Sequence, residues 1–278
     1  MTTPSANIRS REQQFAPRLE TKITEEIPSP TNPYHVKNMR IHGYDHSALM
    51  EKCEFSDVIF LLFRGELPND FERDLFRKLC IALINPGPRH PATQASITAG
   101  VGKTDTVNVL PIALTIYGGE FDGAANVEST MRYFRRASRR PTNEVATALE
   151  SNSDIEIPGF GQLYGDADPY AEALLNAFSS NSSSPLLSWI IALNTKLKQK
   201  NIGISKAGLC AAILAELGFQ PRQGNALMQL MAAPGLLAHG MEYANKPLTS
   251  MLFEPDECYE IEQELAGSAA PEKTREVV

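Results

Sequence analysis

Clusters of arginine and lysine are the first residues of this sequence whose type and spacing could do chemistry. One predicted helix face carries four arginines, at steps of three, four and seven residues: Arg132, Arg135, Arg136 and Arg139. Guanidinium groups this close repel one another unless solvent or an anion neutralises them, and they bind phosphate well. A second basic cluster follows at Lys196, Lys198 and Lys200. Two interpretations stay open, a solvated helix face or a site for a phosphorylated cofactor.

The five histidines indicate hydrogen bonding or acid–base chemistry, because none pairs with another at metal-ligand spacing on a helix. We therefore expect no metal cofactor. His90 lies in the Pro-rich loop 87–91 and is the better catalytic candidate, since loops on rigid scaffolds carry function. His239 lies in an apolar helical stretch, which favours a hydrogen-bonded core histidine.

Two glycine-containing segments could bring backbone close to a ligand. Pro158-Gly159-Phe160-Gly161 is the densest glycine cluster outside helix ends, and it predicts either a close approach to a ligand or a plain turn. Residues 100–104 (GVGKT) look like the end of a phosphate-binding loop. Ile97 stands where that motif requires glycine, and no strand pattern precedes it, so we expect no nucleotide loop there.

Helical periodicity dominates the elements that must position these residues. Asn69 and Glu72 have the spacing of a capping box before an amphipathic helix, and Ser56 is predicted to cap the helix before it. Met39–Ile41 is one of few short extended segments. These patterns predict an all-α fold. Further helices are predicted at 127–139, 142–150, 168–178, 185–198, 205–217, 222–230 and 235–243.

Breaks in the helical pattern predict two domains and two mobile ends. Residues 1–30 are polar and Pro-rich and are expected to form a mobile N-terminal arm, and 266–278 a mobile tail. A large helical domain is expected from 31–126 and 204–265, with a small helical domain inserted at 127–203. The cleft between two such domains is a usual ligand site.

Composition narrows the class of protein. The chain has 278 residues, 42% of them apolar, which is ordinary for a soluble globular protein. Its net charge of −7 argues against nucleic-acid binding. No apolar run reaches membrane-spanning length and the N-terminus lacks a secretory core, so we expect a cytoplasmic protein without membrane contact. Three of the four cysteines are expected to be buried, inert thiols: Cys53, Cys80 and Cys210.

Four segments, in the same order, resemble the citrate synthase family and span about residues 34–250. They are Arg40–Asp45 with Ser56–Pro68, Gly119–Asn126, Pro158–Pro169 and Gly235–His239. The resemblance implies a citrate-synthase-like fold, a homodimer, and carbon–carbon bond chemistry through the enol of an acyl-CoA thioester. It further implies CoA contacts from Pro158-Gly159-Phe160-Gly161 and from Lys198 and Lys200.

The catalytic positions depart from this family. Asp122 and Gln162 stand where the resemblance implies histidines, and Gly203 stands where it implies an aspartate base. The position of a third histidine holds Pro86, with His90 close by. Three positions where arginines would hold substrate carboxylates have other residues: Tyr170, Ala232 and Lys246. Because each lost polarising group costs about 10²–10³-fold in rate, we do not expect ordinary citrate synthesis.

Three hypotheses about the function follow. In the first, the chain is a divergent enzyme that makes or cleaves a carbon–carbon bond in an acyl-CoA, with Asp122 as base or acid and His90 or Gln162 assisting. In the second, it is an inactive subunit that pairs with a paralogue carrying intact histidines. In the third, it is an unrelated helical interaction protein. The first is favoured narrowly, because Asp122 is a new titratable group at a position where an inert subunit needs none.

Overall fold

The structure is a computed structural model that describes residues 18–151, 156–179 and 184–258. Helices make up most of these residues, which confirms the predicted mostly helical class. None of the described helices is long and apolar enough to cross a membrane. In chain order the α-helices are α1 (His46–Lys52), α2 (Phe55–Arg64), α3 (Asp70–Ala82), α4 (Pro91–Val101), α5 (Thr106–Tyr117), α6 (Val127–Ala137), α7 (Thr142–Ser151), α8 (Pro169–Ala177), α9 (Pro185–Leu197), α10 (Lys206–Glu216) and α11 (Gly224–Ala244).

Two small antiparallel sheets accompany the helices. The first has the order β1 (Thr24–Pro28), β2 (Val36–Ile41) and β3 (Tyr44–Asp45), which confirms the extended segment predicted around Met39. The second pairs β4 (Phe160–Gly161) with β5 (Gly203–Ile204). Its register sets Phe160 against Ile204 and Gly161 against Gly203, so two segments that are distant in the sequence meet at one place.

The N-terminal segment differs in part from the predicted mobile arm. Residues 24–28 form β1, whose Glu25 pairs with Arg40 of β2 and whose Ile27 pairs with Asn38. A polar composition indicated mobility, but backbone hydrogen bonds to β2 order this stretch, and composition does not show such bonds. Residues 1–17 and the predicted tail 266–278 lie outside the described residues.

α10 is the central helix of the largest hydrophobic core. Its side chains are buried on every side, and Leu209, Cys210 and Leu214 have no exposed surface. Around it pack α6, α9 and α11, and an aromatic trio lies in the same core, with ring centroids 5.2–5.6 Å apart: Phe60, Phe76 and Phe219. A helix without a polar face must be enclosed in this way. The burial of α10 therefore holds its first residue, Lys206, in a fixed position.

The helix starts show one correct and one wrong prediction. The capping box is confirmed, since Asn69 accepts from Glu72 N at 3.0 Å and Glu72 accepts from Asn69 N at 2.9 Å. Ser56 does not cap α2, which begins at Phe55. Instead the Asp57 carboxylate accepts from Glu54 N, while Ser56 Oγ is buried without a partner among the described residues. Ser56 is already the second residue of the helix, and the carboxylate of the next residue competes better for the free N–H groups.

The two helices predicted at 222–230 and 235–243 are one helix, α11. Pro234 lies inside it and removes a backbone donor, yet the helix continues on both sides. Packing compensates for the lost bond, because α11 packs against α4 and α5. Gly100 and Gly240 permit this approach, since a side chain on Gly100 would overlap the backbone of Gly240. The predicted domain boundaries remain a prediction.

Candidate active site

Two clefts adjoin at the loop between α5 and α6. The larger has a volume of ≈ 350 Å³ and the smaller ≈ 170 Å³. They share Phe121, Asp122, Leu163 and Asp168 as lining residues. Segments that are distant in the sequence therefore meet here: the α5–α6 loop, the loop carrying β4, and the start of α10.

Asp122 lies at the junction of the two clefts and is held by a lysine. Lys206 Nζ lies 2.5 Å from Asp122 Oδ2, and the two side chains are only 14% and 11% exposed. The backbone of Asp122 is left-handed, with φ +49°, a conformation that aspartate tolerates better than most residues. Sequence reasoning missed Lys206. The signal that could have found it is a lone cation at the first position of an otherwise apolar helix.

His90 contacts the same loop from the other side. It is the N-cap of α4, where Nδ1 accepts from Ala92 N at 3.1 Å, so the ring proton is on Nε2. Nε2 then donates to the Asp122 carbonyl oxygen at 3.1 Å. Burial lowers the pKa of His90, which keeps the imidazole neutral. The ring packs on buried Tyr117, with centroids 5.1 Å apart. The structure therefore places His90 next to Asp122, the residue that the sequence analysis expected it to assist.

The glycine-rich loop forms one wall of the larger cleft, through Gly159, Phe160, Gly161 and Gln162. Glycine is present at positions 159 and 161 for different reasons. Gly159 has φ +82° and packs on α10: a Cβ there would lie 3.0 Å from the Cα of Gly208. Gly161 faces open space, with nothing within 4 Å of a Cβ. The close approach predicted for this loop is thus a protein contact at Gly159, and Gly161 is the glycine left free for a ligand.

Gly203 lies in β5, directly opposite Gly161, and a side chain there has no room. A Cβ on Gly203 would lie 2.8 Å from Ala167 Cβ. The position where the resemblance implies an aspartate base is therefore closed by packing as well as lacking a carboxylate. Gln162, the next residue along from Gly161, is exposed and makes no side-chain hydrogen bond within the described ranges.

Charge is distributed unequally between the clefts. The acidic residues of the larger cleft are Glu120, Asp122, Glu156 and Asp168, and its described lining contains no lysine, arginine or histidine. The smaller cleft carries the cations Arg89 and Lys206, the shared carboxylates Asp122 and Asp168, and neutral His90. Phosphate groups are repelled by carboxylates at short range. The larger cleft consequently suits an uncharged chain, and the cations that could meet a ligand carboxylate lie in the smaller cleft.

Tyr170 and an aromatic pair line the smaller cleft. Tyr170 is the second residue of α8 and is 58% exposed. Phe121 and Tyr164 meet edge to face, with ring centroids 5.6 Å apart, and both are exposed. Together these rings form an apolar wall beside the cations of the cleft.

The predicted basic residues lie outside both clefts. Lys198 forms an ion pair of 2.5 Å with Glu172, and Lys200 follows it in a short 3-10 helix. Lys246 forms an ion pair of 2.7 Å with Glu242 and lies over the Tyr243 ring. None of these three lysines lines a cleft. Their predicted contacts with CoA or substrate therefore remain predictions.

The remaining motifs have structural explanations. Of the arginine row, Arg132 pairs with Glu128 on its own helix and Arg135 donates to the Phe219 carbonyl, which agrees with a mostly solvated, structural face. In the GVGKT segment, Lys103 Nζ donates to the carbonyls of Ala244 and Lys246, at the end of α11. His239 is half-buried, and its Nε2 lacks the predicted hydrogen-bond partner in the described chain.

Comparison with known proteins shows the fold and no closer relationship. No model of a known family matches the sequence, and no curated protein does. Among solved structures, the citryl-CoA lyase of Hydrogenobacter thermophilus superposes with a TM-score of 0.73 at 21% identity, over 88% of this chain and 95% of that one. ATP citrate lyase of Methanosaeta concilii, in complex with (3S)-citryl-CoA, gives 0.65 at 17% identity, over 87% of this chain and 42% of that one.

The citrate synthase of Thermoplasma acidophilum, whose structure contains carboxymethyl coenzyme A and oxaloacetate, gives a TM-score of 0.57 at 18% identity. The match covers 76% of this chain and 58% of the citrate synthase chain. This chain therefore has a citrate-synthase-like fold. At the level of the fold, the resemblance read from the four sequence segments is confirmed.

Proposed function

We propose that this protein forms or cleaves a carbon–carbon bond in an acyl-CoA thioester and does not carry out ordinary citrate synthesis. One observation carries the proposal. Asp122, Gln162 and His90, chosen from the sequence as catalytic candidates, line two adjoining clefts of one fold. Citrate synthase, citryl-CoA lyase and ATP citrate lyase have related folds, which supports this class of reaction.

Asp122 is the proton-transfer group in this proposal. Its Oδ1 has no hydrogen-bond donor among the described residues, so one carboxylate oxygen is free to take a proton from a substrate. Gln162 lies in the larger cleft with its amide uncommitted and serves as a donor to the thioester carbonyl. His90 holds the Asp122 loop through the carbonyl oxygen and thereby sets the position of the carboxylate.

The thioester arm occupies the larger cleft, and the CoA phosphates remain outside it. The acidic lining of that cleft favours an uncharged pantetheine and acyl chain over a phosphate. Gly159, Phe160 and Gly161 form its wall, and open space at Gly161 lets the chain lie against backbone. Lys198 and Lys200 are proposed to meet the phosphates, which requires Lys198 to exchange Glu172 for the ligand.

Ordinary citrate synthesis is disfavoured by charge and packing. A product with three carboxylates needs several cations, and the described lining of both clefts carries only Arg89 and Lys206. Lys246, which the resemblance implies as a carboxylate partner, is paired with Glu242. Tyr170 replaces an arginine with a phenol. The carbonyl partner is therefore less anionic than oxaloacetate.

Binding and turnover test this function directly. Acetyl-CoA, propionyl-CoA and longer acyl-CoAs are titrated by calorimetry, and deuterium incorporation at thioester C2 is followed by mass spectrometry in heavy water. We expect binding heat and exchange, both with the wild-type protein. Asp122→Ala should abolish exchange, while Asp74→Ala, which removes an ion-paired aspartate outside the clefts, should not. Absence of binding to every thioester, or full exchange by Asp122→Ala, contradicts the proposal.

The alternative is an inactive subunit that pairs with an active citrate-synthase-like paralogue. Two exposed apolar residues one turn apart on α5 support association of some kind: Ile112 and Ile116 are 37% and 43% exposed. We propose a homodimer, or a heteromer in the alternative case. Light scattering measures the size of this protein alone and mixed with a paralogue that carries intact G-P-L-H-G-G and G-F-G-H motifs. The two measurements distinguish a homodimer from a heteromer. Ile112→Glu should dissociate either assembly.

A further inference from the structure

The ammonium of Lys206 has unused hydrogen-bonding capacity at the point where the clefts meet. An ammonium group carries three N–H donors. One is directed at Asp122 Oδ2, and the described residues supply no other acceptor within hydrogen-bond distance. The side chain is only 14% exposed, so bulk water does not simply surround the remaining donors. A nearly buried cation with free donors facing a cleft is suited to hold a ligand oxygen.

The surroundings increase the positive potential at this point. Lys206 is the first residue of α10, whose N-terminal end carries a partial positive charge. Ser205, the N-cap, accepts from Gly208 N, so the helix start is well formed. The Lys206 side chain lines the smaller cleft, which has a volume of ≈ 170 Å³. That is several times the share of one water molecule, about 30 Å³, so the cleft has room for a small organic molecule.

We infer that Lys206 is a catalytic residue that hydrogen-bonds the carbonyl oxygen of a 2-oxo acid with one carboxylate, bound in the smaller cleft. The inference rests on the proposed function and names the second substrate of that reaction. Lys206 takes the carbonyl oxygen, and Arg89, the other cation lining this cleft, takes the carboxylate. In the described lining of this cleft, Arg89 is then the one cation that is left for carboxylates. We therefore expect a substrate with a single carboxylate. The aromatic wall of Phe121 and Tyr164 faces the rest of the molecule.

The reaction balances without an oxidant or a reductant. In condensation, C2 of the thioester loses a proton to Asp122 Oδ1, and the enolate carbon attacks the carbonyl carbon of the oxo acid. The carbonyl π electrons move to the oxygen, which becomes an alkoxide beside Lys206 Nζ and then takes that proton from Asp122. In cleavage, Asp122 takes the hydroxyl proton, the carbon–carbon bond breaks, and Asp122 gives the proton to C2 of the enolate. A cation at the developing oxyanion lowers the barrier in both directions.

Two readouts separate this inference from the proposed function. Deuterium exchange at C2 of acetyl-CoA reports the thioester half of the reaction alone. Formation of a 3-hydroxyacyl-CoA from acetyl-CoA with pyruvate, glyoxylate or phenylpyruvate, quantified by mass spectrometry, reports the complete reaction. Oxaloacetate serves as the competing dicarboxylate. Wild type lacking exchange contradicts the proposed function. Wild type that exchanges but forms no product with any monocarboxylate overturns the assignment to Lys206 and this substrate class.

Lys206→Met is the decisive variant. Because Lys206 also holds Asp122, exchange serves as the internal reference: we expect product formation to fall by about 10²–10³-fold more than exchange, the usual cost of one oxyanion donor. Lys78→Met is the matched control, because it removes a lysine paired with Asp74 at 2.7 Å outside the clefts. If Lys206→Met does not fold, Lys206→Met with Asp122→Asn removes both charges. The double variant should bind pyruvate more weakly than Asp122→Asn alone. Unchanged product formation by the single variant, or unchanged pyruvate affinity in the double, overturns the inference.

Discussion

Gly159 and Gly208 pack backbone against backbone: a Cβ on Gly208 would overlap the Gly159 carbonyl, and a Cβ on Gly159 would lie 3.0 Å from Gly208 Cα. This contact joins the glycine-rich loop to the first turn of α10. Ser205 N reinforces it by donating to the Gly159 carbonyl at 2.9 Å. The loop that forms one wall of the larger cleft and the helix that carries Lys206 are therefore fixed relative to each other.

Gly208→Ala should destabilise the protein, because its Cβ would overlap the Gly159 carbonyl in a fully buried site. Overpacking of this kind costs about 1–3 kcal/mol. Gly161→Ala is the matched control, since its Cβ meets open space. Chemical denaturation of both variants measures the difference. Equal free energies of unfolding would show that the two backbones do not pack as described.

Gly203→Asp should not restore the base that the resemblance implies. The new side chain meets Ala167 Cβ at 2.8 Å, so we expect a loss of about 1–3 kcal/mol in unfolding free energy and no gain in C2 exchange. Gly203→Asp combined with Ala167→Gly removes the steric conflict and should recover part of the stability. Thermal denaturation and the exchange assay check both results. A stable, more active single variant would contradict the packing argument.

His90 should make stability depend on pH below neutrality. Burial lowers its pKa in the folded protein below the ordinary value of 6.5, so the unfolded chain binds the proton more readily. The contribution of neutral His90 to stability is therefore fully present above pH 6.5. It is lost as the pH drops through the pKa of His90 in the folded protein. His90→Asn keeps an N-cap oxygen for Ala92 N but does not titrate. Denaturation at several pH values should show a smaller loss between pH 7 and 5 for this variant; an identical loss would exclude His90 as its source.

The cysteines should react in order of their exposure. Burial raises the pKa of Cys80 to about 11 and raises that of Cys210 further, so both remain protonated thiols at neutral pH. Cys258 is exposed and Cys53 is half-buried. A thiol reagent should modify Cys258 first and Cys53 more slowly, while Cys210 reacts only on unfolding. Mass mapping of the labelled peptides checks this order, and early labelling of Cys210 would contradict its burial.

Local signals in the sequence predicted the local elements well. The Asn69 capping box and the apolar spacing of α3 formed as expected, because side chains three or four residues apart determine such features. The helices predicted at 222–230 and 235–243 are one helix, because a proline breaks an isolated helix but Pro234 is tolerated where long-range packing holds both halves. Ser56 misled the prediction at α2, where a nearby carboxylate took the capping role.

The sequence by itself determined the helical class, the candidate loops and the candidate side chains Asp122, Gln162 and His90. The tertiary structure decided their partners. Lys206 meets Asp122 across 84 residues of chain, and Gly203 meets Ala167 only because β5 pairs with β4. Periodicity and capping act within a few residues, whereas a pair this distant forms only when a fully buried α10 fixes where its first residue lies.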